Sequence, residues 1–497
     1  MSFIYNGIRV KKDLTEEERE RLVEDTVQKR DANGVISVYR RLSLYDPKKR
    51  FNNYIASKKI GVLDEQTGKV IATPPKRKSR SEPDVSLTDA LTEASENLTD
   101  NRQVGKVVYP LAPTLEIVLC TALGGDLGPK AVANYWNKFF KFFSERWGSE
   151  LPKSAPSIST INRLFRLIDP AELQNLYQEF VFPLLPDPNV RDAEKAIYNV
   201  DGQAVRASRN DDSQPHQILS FYSTEAGLAF AQALIDKKSN EIPAAYRLIK
   251  LLDLHGAIVT GDAMHCQRKF VRAVMEDARA DYCLALKSNQ GNLAKSSKKL
   301  FEENSVTLFV ETENKEHGRI ERRRIEVLPA SLLPKEILKD WYGLEMGCIV
   351  KQTSWRTVIS NGGVAEPTTE ATRYFISSLT SEEPNVANHL LHAIRSHWSI
   401  ENKLHHVLDC DFGQDHSQMK NANLAANTVQ MNKFALAIIE LVRRIANKER
   451  KHARIITVNE IRKSLINDPS LAISYINTFL RYSEAAELNR TPEPLIK

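Results

Sequence analysis

Residues 196–208 read Ala-Ile-Tyr-Asn-Val-Asp-Gly-Gln-Ala-Val-Arg-Ala-Ser, so that a short apolar run ends in an Asp-Gly pair. A short apolar run that ends in a turn dipeptide is typical of a buried β-strand. The pattern recurs at 257–262, where an apolar run ends in Gly261 and Asp262. Segments with helical periodicity separate and follow these runs, and this alternation predicts an α/β fold built on a mixed sheet.

Asp201 and Asp262 occupy equivalent places, each directly after an apolar run. The carboxyl ends of sheet strands are where α/β proteins usually place their sites, and neighbouring strands lie about 5 Å apart. Two carboxylates placed in this way can share a divalent ion such as Mg²⁺, which prefers oxygen ligands. An Asp at a strand end is also a common turn residue, and the two residues alone leave this alternative open.

A third carboxylate comes from a helix predicted over 385–408. Its apolar stripe is formed by Ile400, Leu404, Val407 and Leu408. Glu401 lies on the flank of this stripe, so we expect a half-buried carboxylate at the edge of the sheet. A solvated boundary residue is the alternative.

Composition limits the class of protein. The chain has 497 residues, a net charge of +6 and 42% hydrophobic residues, which excludes a wholly disordered or collagen-like chain. Its five cysteines include no CxxC pair, which argues against a disulfide framework or a zinc ribbon and favours a reducing compartment. No secretory signal or membrane-spanning stretch is apparent, so we expect a cytoplasmic, multidomain protein with no membrane partner.

Changes in composition and in hydrophobic periodicity along the chain predict five regions. These are a charged N-terminal extension at 1–70, a disordered linker at 71–100, an all-helical domain at 101–188, an α/β domain at 189–440 with a β-rich insertion at about 290–372, and a basic helical tail at 441–497. The linker is predicted because residues 81–100 hold six carboxylates and no Lys or Arg. Within the extension, a short helical pattern covers 16–28.

Two basic segments flank the folded regions, at Lys76–Arg80 and at Lys448–Arg454. Solvated surface charge is the favoured interpretation of the first. Contact with DNA phosphates is the alternative for both.

A series of motifs runs along the chain: Asp201-Gly202-Gln203 with Arg206-Ala207-Ser208, residues 237–243, residues 256–267, Leu286-Lys287-Ser288-Asn289-Gln290-Gly291, residues 317–323, Tyr374–Ser378, residues 395–405 and residues 412–415. Their sequences and their order resemble the ISAs-type insertion-sequence transposases, which include the H-repeat-associated proteins. The segments Asp100–Arg102 and Tyr109–Leu111 resemble the family's associated N-terminal domain. The resemblance covers about residues 96–440, with Gln203 in place of the family's usual Lys.

The resemblance implies a DDE transposase. Its fold would be α/β, an RNase H-like catalytic core with a β-rich insertion, preceded by an all-helical domain and flanked by charged N- and C-terminal extensions. It implies that Asp201, Asp262 and Glu401 are both the catalytic residues and the metal ligands. Two Mg²⁺ ions, for which Mn²⁺ can substitute, would clamp the scissile phosphate, activate the attacking water and neutralise the leaving 3′ oxygen.

The same motifs contain candidate DNA-binding residues: Arg206, Lys287, Asn289, Arg319, Arg323, Arg395, His397 and Trp398. Surface salt bridging is the alternative for the arginines and the lysine. For Trp398, packing beneath the helix is favoured over stacking on a flipped base.

The function that the resemblance implies is metal-dependent cleavage of double-stranded DNA at the inverted-repeat ends of an insertion sequence, followed by attack of the 3′-OH on target DNA. A homo-oligomer would hold the ends in the synaptic complex, in a cytoplasmic and nucleoid-associated setting. A domesticated, non-mobile DNA-binding protein and a nuclease without strand transfer are the alternatives.

Overall fold

The computed structural model describes part of the chain in detail: residues 3–5, 8–10, 22–30, 36–46, 51–63, 70–72, 87–96, 98–102, 107–125, 128–186, 195–209, 215–235, 241–250, 252, 254–316, 318–359, 367–416, 419–449 and 455–487. The chain divides into two compact units, Met1–Asp84 and Val85–Lys497. The basic segment Lys76–Arg80 and most of Lys448–Arg454 lie outside the described residues.

The first unit contains β-structure. A hairpin pairs β1 (Phe3–Tyr5) with β2 (Ile8–Val10), and an antiparallel sheet follows the order β3 (Leu22–Arg30), β4 (Ile36–Asp46), β5 (Phe51–Leu63) and β6 (Val70–Ala72). The helix predicted over 16–28 is therefore wrong from residue 22 onward. Val23, Thr26 and Val27 are β-branched and suit a strand, and pairing along the whole of β3 with β4 outweighs the local helical pattern.

The second unit begins with helices. In the described residues they are α1 (Leu87–Ser95), α2 (Leu111–Gly124), α3 (Pro129–Lys138), α4 (Phe140–Trp147), α5 (Ile158–Leu167) and α6 (Pro170–Val181). The prediction of a disordered linker at 71–100 is wrong for α1, because Leu91 and Ala94 are buried in the core. Their spacing of three residues puts them on one face of the helix, and the packing of this apolar face outweighs the acidic composition.

A large mixed sheet follows the helices. Its strands are β7 (Ile197–Val205), β8 (His216–Ser223), β9 (Leu228–Ile235), β10 (Ile258–Gly261), β11 (Asp281–Leu286), β12 (Leu308–Glu316), β13 (Arg319–Pro329), β14 (Cys348–Val358) and β15 (Thr369–Ser377). Among the described residues the spatial order is β12-β13-β14-β15-β11-β10-β7-β8-β9. Strand β10 is parallel to both β7 and β11, and the other neighbours are antiparallel.

The region predicted as an insertion at about 290–372 is rich in strands, but these strands are continuous with the main sheet. Strand β15 pairs with β11 on one side and with β14 on the other, so the sheet extends through the insertion without a break. The α/β class predicted from the sequence is therefore confirmed as one mixed sheet with helices.

The remaining α-helices of the described residues come after β9 in the chain. They are α7 (Glu241–Ile249), α8 (Arg268–Arg272), α9 (Gly291–Glu303), α10 (Lys335–Leu338), α11 (Val386–Ser399), α12 (His406–Cys410), α13 (Ala422–Glu449), α14 (Val458–Leu465) and α15 (Pro469–Glu487). The helix predicted over 385–408 is interrupted by a π-helical segment, Ile400–His405. Helix α13 packs against α2, α5, α6 and β9, which joins the helical region to the sheet.

In the described part of the chain, no single helix is long and apolar enough to cross a membrane. The helices α2 and α3 meet the length and composition criteria only as a bent pair.

Candidate active site

Asp201 and Asp262 lie beside each other at the centre of the sheet. Strands β7 and β10 are parallel and pair Val200 with Gly261. The residues that follow these two in the chain, Asp201 and Asp262, therefore lie next to each other. Strand β7 continues beyond Asp201 to Val205, because β8 pairs with it there, whereas Asp262 directly follows β10. The sequence prediction that adjacent strands bring these carboxylates together agrees with this register.

Gly261 allows this close approach. A Cβ atom at Gly261 would lie 2.9 Å from the Cβ of His265 and 3.2 Å from a methyl of Val200. His265 in turn holds Asp262: its Nδ1 lies 3.0 Å from Asp262 Oδ1, which also accepts the backbone N–H of Met264 at 2.9 Å. Burial tends to raise the pKa of Asp262, but the hydrogen bonds and charge of His265 lower it overall.

The π-helical segment faces strand β7. His405, the last residue of that segment, places Nδ1 3.4 Å from Asp201 Oδ2. Gln203, two residues after Asp201 on the same face of β7, donates to the carbonyl of His405 and to Asp409 Oδ1, the latter at 2.7 Å. The glutamine that replaces the family's usual lysine therefore ties β7 to the helix that carries Glu401.

Glu401 completes a group of like charges. Partial burial raises the pKa of the Glu401 carboxyl above its ordinary value, and the negative charges of Asp201 and Asp262 raise it further. His405 and Arg373 act in the opposite direction but do not reverse the shift. Glu401 therefore lies within electrostatic reach of both aspartates, although it is far from them in the sequence.

His397 lies beneath this group, one helical turn before Glu401. Thr260 Oγ1 donates to Asn199 Oδ1 at 2.6 Å and lies 3.1 Å from His397 Nδ1. Because the hydroxyl hydrogen is given to Asn199, the Nδ1–H of His397 donates to Thr260. Burial lowers the pKa of His397, which keeps the ring neutral although Asp201 and Asp262 oppose the shift.

Sequence analysis missed one cation at this edge, Arg373. It is exposed in the middle of β15, and its guanidinium lies 5.4 Å from the ring centroid of Trp398. It forms no ion pair with another described residue, and its charge lowers the pKa of Glu401. The register of β15 places it opposite Gln352, a long-range relation that no sequence motif records.

Comparisons with known proteins agree with this arrangement. The model described as DDE_Tnp_1-associated matches residues 93–181, and the model described as Transposase DDE domain matches residues 193–438, which include both aspartates and Glu401. The chain is 30% identical over 376 residues to "Putative transposase YncI" of Escherichia coli O157:H7, covering 73% of this chain and 90% of that protein. The chain belongs to the H-repeat-associated family of DDE transposases.

The chain is also similar to two further proteins. One is "H repeat-associated putative transposase YhhI" of Escherichia coli K12, 29% identical, with 66% of this chain and 84% of that protein covered. The other is "Uncharacterized protein in dhlA 3'region" of Xanthobacter autotrophicus, 33% identical, with 44% of this chain and 74% of that protein covered. Membership in the transposase family implies a DNA substrate. The contacts of the predicted DNA-binding residues decide which of them are free to bind it.

Three of these residues lie at the carboxyl end of the central strands. Arg206 follows β7 and pairs with Asp415 at 3.3 Å, although most of its side chain is exposed. Lys287 is exposed directly after β11. Asn289 donates to the carbonyl of Ala263 at 2.6 Å, so it supports the loop that follows Asp262.

Others belong to the extended part of the sheet and to α11. Arg319 and Arg323 both bind Glu321 between them on β13. Arg395 is exposed on α11. Trp398 is 44% exposed, so the favoured expectation that it packs beneath the helix is wrong.

The histidines and the cysteine near Glu401 point in different directions. His405 faces Asp201, whereas His406 is exposed and its Nδ1 lies 3.5 Å from the Sγ of Cys410. Among the described residues, no three His, Cys, Asp or Glu side chains form a ready ligand group for a metal ion. Metal binding is therefore part of the proposed function and is not shown by the described side chains.

Proposed function

We propose that this chain is the DNA transposase of an insertion sequence, which cleaves DNA at the element ends and joins the 3′-OH to target DNA. Asp201, Asp262 and Glu401 are its catalytic carboxylates. The observation that carries the proposal is the parallel register of β7 and β10, which places Asp201 and Asp262 side by side within the segment that matches the Transposase DDE domain. The raised pKa of Glu401, caused first by burial and then by the two aspartates, supports its place in the same group. Like charges that converge at a strand end are typical of a catalytic site, because a stabilising core would pair them with cations.

The proposal includes an RNase H-like core. It is supported by five neighbouring strands of the sheet, β9-β8-β7-β10-β11. Strands β7, β8 and β9 form an antiparallel meander, and β10 and β11 are parallel to β7. We assign the catalytic domain to 189–440 and the helical domain to 101–188.

The donor set fits a hard divalent cation. Three carboxylates supply only oxygen ligands, which Mg²⁺ and Mn²⁺ prefer, and the excess of negative charge at Glu401 supports the fit. Asp201, Asp262 and Glu401 would hold two such ions, which supply an activated water and neutralise the leaving oxygen when bound.

The other residues of the site orient the carboxylates. His265 holds the Asp262 carboxylate, and His405 lies against Asp201. The neutral His397, bonded to Thr260, supports the turn before Glu401. Arg373, exposed and without an ionic partner among the described residues, is available to a DNA phosphate beside Glu401.

The partners follow from the reaction. The substrates are the inverted-repeat ends of the element and the target duplex, and pairing two ends requires a homo-oligomer in the synaptic complex. Lys287, Arg395 and Trp398 are exposed and stay candidates for DNA contact. Arg206, Arg319 and Arg323 would first have to exchange their carboxylate partners for phosphate.

A strand-transfer assay with the full chain tests the function. The DNA carries the element's own ends, and the reaction is run with Mg²⁺, with EDTA and with the Asp201→Asn variant. We expect cleaved and joined products with Mg²⁺ and neither product in the two controls. Cleavage without joining would identify a nuclease, and binding without cleavage would identify a domesticated DNA-binding protein; either result would overturn the proposal.

A further inference from the structure

A cavity of about 1070 Å³ lies where the helical domain meets the end of strand β7, apart from the three carboxylates. It is lined by residues at the start of α3, on α5, around Gln414 and at the start of α13. Val205, the last residue of β7, also lines it. The cavity therefore lies at the far end of the strand that carries Asp201.

The charged lining of this cavity has one sign. Lys130, Arg166 and Lys420 line it, and the described lining residues include no Asp or Glu. All three cations are exposed, and none forms an ion pair with another described residue. Among the described residues, the lining of this cavity therefore carries positive charge without a neutralising carboxylate, which favours an anionic ligand.

The start of helix α3 adds to this charge. Gly128 precedes the helix and provides no capping side chain, so backbone N–H groups of the first turn have no side-chain partner. Helix N-termini of this kind bind phosphate and other anions. Gly128, Lys130 and Ala131 all line the cavity.

Two buried amides point to a ligand with hydrogen-bonding edges. Gln414 is 2% exposed and lines the cavity, yet neither its Oε1 nor its Nε2 has a hydrogen-bond partner among the described residues. Asn432 is also 2% exposed, lines the cavity, and leaves Oδ1 without a partner. Leaving a buried amide without a hydrogen-bond partner destabilises the fold, and such side chains read the edges of nucleobases.

We propose that this cavity binds one nucleotide of an unpaired DNA strand, with its phosphate at Lys130, Lys420 and the start of α3 and its base against Gln414 and Asn432. The proposal rests on the proposed function for the identity of the polymer. The volume exceeds that of one nucleotide and is ample for a ligand pocket.

The distance along β7 suits one continuous strand. Asp201 and Val205 lie four residues apart on β7. Four residues of β-strand span about 13 Å, and one DNA strand advances about 3.4 Å per nucleotide in a duplex. A strand whose scissile phosphate lies at Asp201 therefore reaches the cavity within about four nucleotides.

Binding measured in EDTA tests the proposal without any cleavage. A labelled single-stranded oligodeoxynucleotide is titrated at several salt concentrations against the full chain, the double variant Lys130→Gln/Lys420→Gln and the matched double variant Lys141→Gln/Lys153→Gln. The control lysines are exposed on the same helical domain but do not line the cavity. We expect the first pair to flatten the slope of log K against log salt by about 0.7 for each lost cation, and the control pair to leave it unchanged. Equal slopes in all three proteins would overturn the proposal.

Two further measurements address the base and the source of the nucleotide. Gln414→Leu should weaken binding by about tenfold without changing the salt slope, because one hydrogen-bonded amide is lost; unchanged affinity in a folded variant would refute the base contact. Should that variant fail to fold, an oligonucleotide carrying 5-iodouracil should crosslink to wild-type protein within the segment that contains Met419 and Lys420. A crosslink confined to other segments would overturn the proposal, as would a deoxynucleoside monophosphate that binds as tightly as the oligonucleotide.

The outcome is separable from that of the proposed function. A chain that fails to cleave or join DNA can still show the predicted dependence on Lys130 and Lys420. A chain that joins DNA normally after both substitutions and shows no change in binding would lose only the cavity proposal.

Discussion

Glu116 and Glu401 show two ways in which this chain treats a carboxylate on a helix. Glu116, on α2, is completely buried, and it accepts hydrogen bonds from Arg146 Nε and Nη2 and from Trp147 Nε1, all between 2.8 and 3.0 Å. Glu401 lies on the π-helical segment, partly exposed, where burial and then the charges of Asp201 and Asp262 raise its pKa.

Glu116 has its partners within the fold, whereas Glu401 is a carboxylate for which we propose a catalytic role. A buried carboxylate is tolerated in a core when its lone pairs are satisfied by a cation and by N–H donors, as at Glu116. At Glu401, burial and the charges of Asp201 and Asp262 raise the pKa of the carboxyl, so the fold disfavours its charge, as expected of the catalytic carboxylate that we propose. Each prediction below tests one side of this comparison.

The largest effect is expected at the three carboxylates. Glu401→Gln, Asp201→Asn and Asp262→Asn keep the side-chain shape and remove one charge each, so DNA cleavage should fall by roughly three orders of magnitude or more. Double variants should lose little more, because the groups act as a unit. Initial rates of cleavage of end DNA with Mg²⁺ measure the effect.

Thermal unfolding and DNA binding serve as the control for these variants. DNA binding should be preserved in all three variants, and Glu401→Gln should preserve or slightly raise the unfolding temperature, because the fold raises the pKa of this carboxyl and so disfavours its charge. Asp262→Asn should lower the unfolding temperature slightly, because His265 stabilises the ionised form of Asp262. A Glu401→Gln protein that cleaves at the normal rate, with an Asp409 variant that does not, would move the third carboxylate along the helix.

Glu116→Gln should have the opposite profile. The substitution leaves Arg146 without its carboxylate in a largely buried place, and breaking such a pair costs about 3 kcal/mol of unfolding free energy. Chemical denaturation followed by circular dichroism measures the loss. Cleavage per folded molecule should be unchanged at low temperature, and a thousandfold loss of cleavage in a folded protein would remove the distinction between the two glutamates.

Lys433, like Glu116, is a buried ionisable residue with hydrogen-bond partners inside the fold, and its contribution to stability depends on pH. Its Nζ is buried on α13 and donates to Ser220 Oγ and Gln232 Oε1, and burial lowers its pKa to about 7. Between pH 7 and the ordinary pKa of lysine the unfolded chain binds a proton that the folded chain does not. Stability should therefore rise with pH in this window, by up to about 1.4 kcal/mol per pH unit.

The measurement is unfolding free energy from pH 7 to pH 8.5, below the ordinary titration of cysteine thiols. Lys433→Met should remove this component of the slope whatever its effect on absolute stability. Identical slopes in wild type and variant would show that the amine stays protonated in the fold.

The smallest effect is expected for Arg373→Gln. Loss of one phosphate contact should raise the KM for end DNA by about tenfold and leave kcat within a few fold. Arg322→Gln is the matched control, because Arg322 also lies over a tryptophan, Trp355, but alternates to the opposite face of the sheet. Equal effects of both substitutions would assign Arg373 to general surface charge.

Local sequence patterns were sufficient to predict the strands that hold the two aspartates. The apolar runs before Asp201 and Asp262 predicted two neighbouring strands, and their parallel register agrees. The expected strand end at Asp201 is wrong, because pairing with β8 extends β7 to Val205, and only Asp262 directly follows its strand. Glu401 could be related to them only through family resemblance, because the π-helical segment that faces β7 depends on packing rather than on local periodicity.

Long-range pairing explains what was missed. Arg373 lies directly before the motif Tyr374–Ser378 and is not part of it. Its place beside Trp398 depends on the pairing of β15 with β14 and β11. In the same way, Leu22–Arg30 becomes a strand because β4 pairs with it along its length, and the acidic segment before Asp100 becomes partly helical because Leu91 and Ala94 find a core.

Metal rescue tests the central claim most directly. Asp201→Cys, Asp262→Cys and Glu401→Cys each replace a hard carboxylate by a thiolate, which Mg²⁺ accepts poorly and Mn²⁺ accepts more readily. If these residues are metal ligands, the variants should be inactive in end cleavage with Mg²⁺ and should regain activity with Mn²⁺, whereas Asp409→Cys should show no such change of metal preference. Variants that are equally active, or equally inactive, with both metals would contradict the assignment of Asp201, Asp262 and Glu401 as the metal-binding triad.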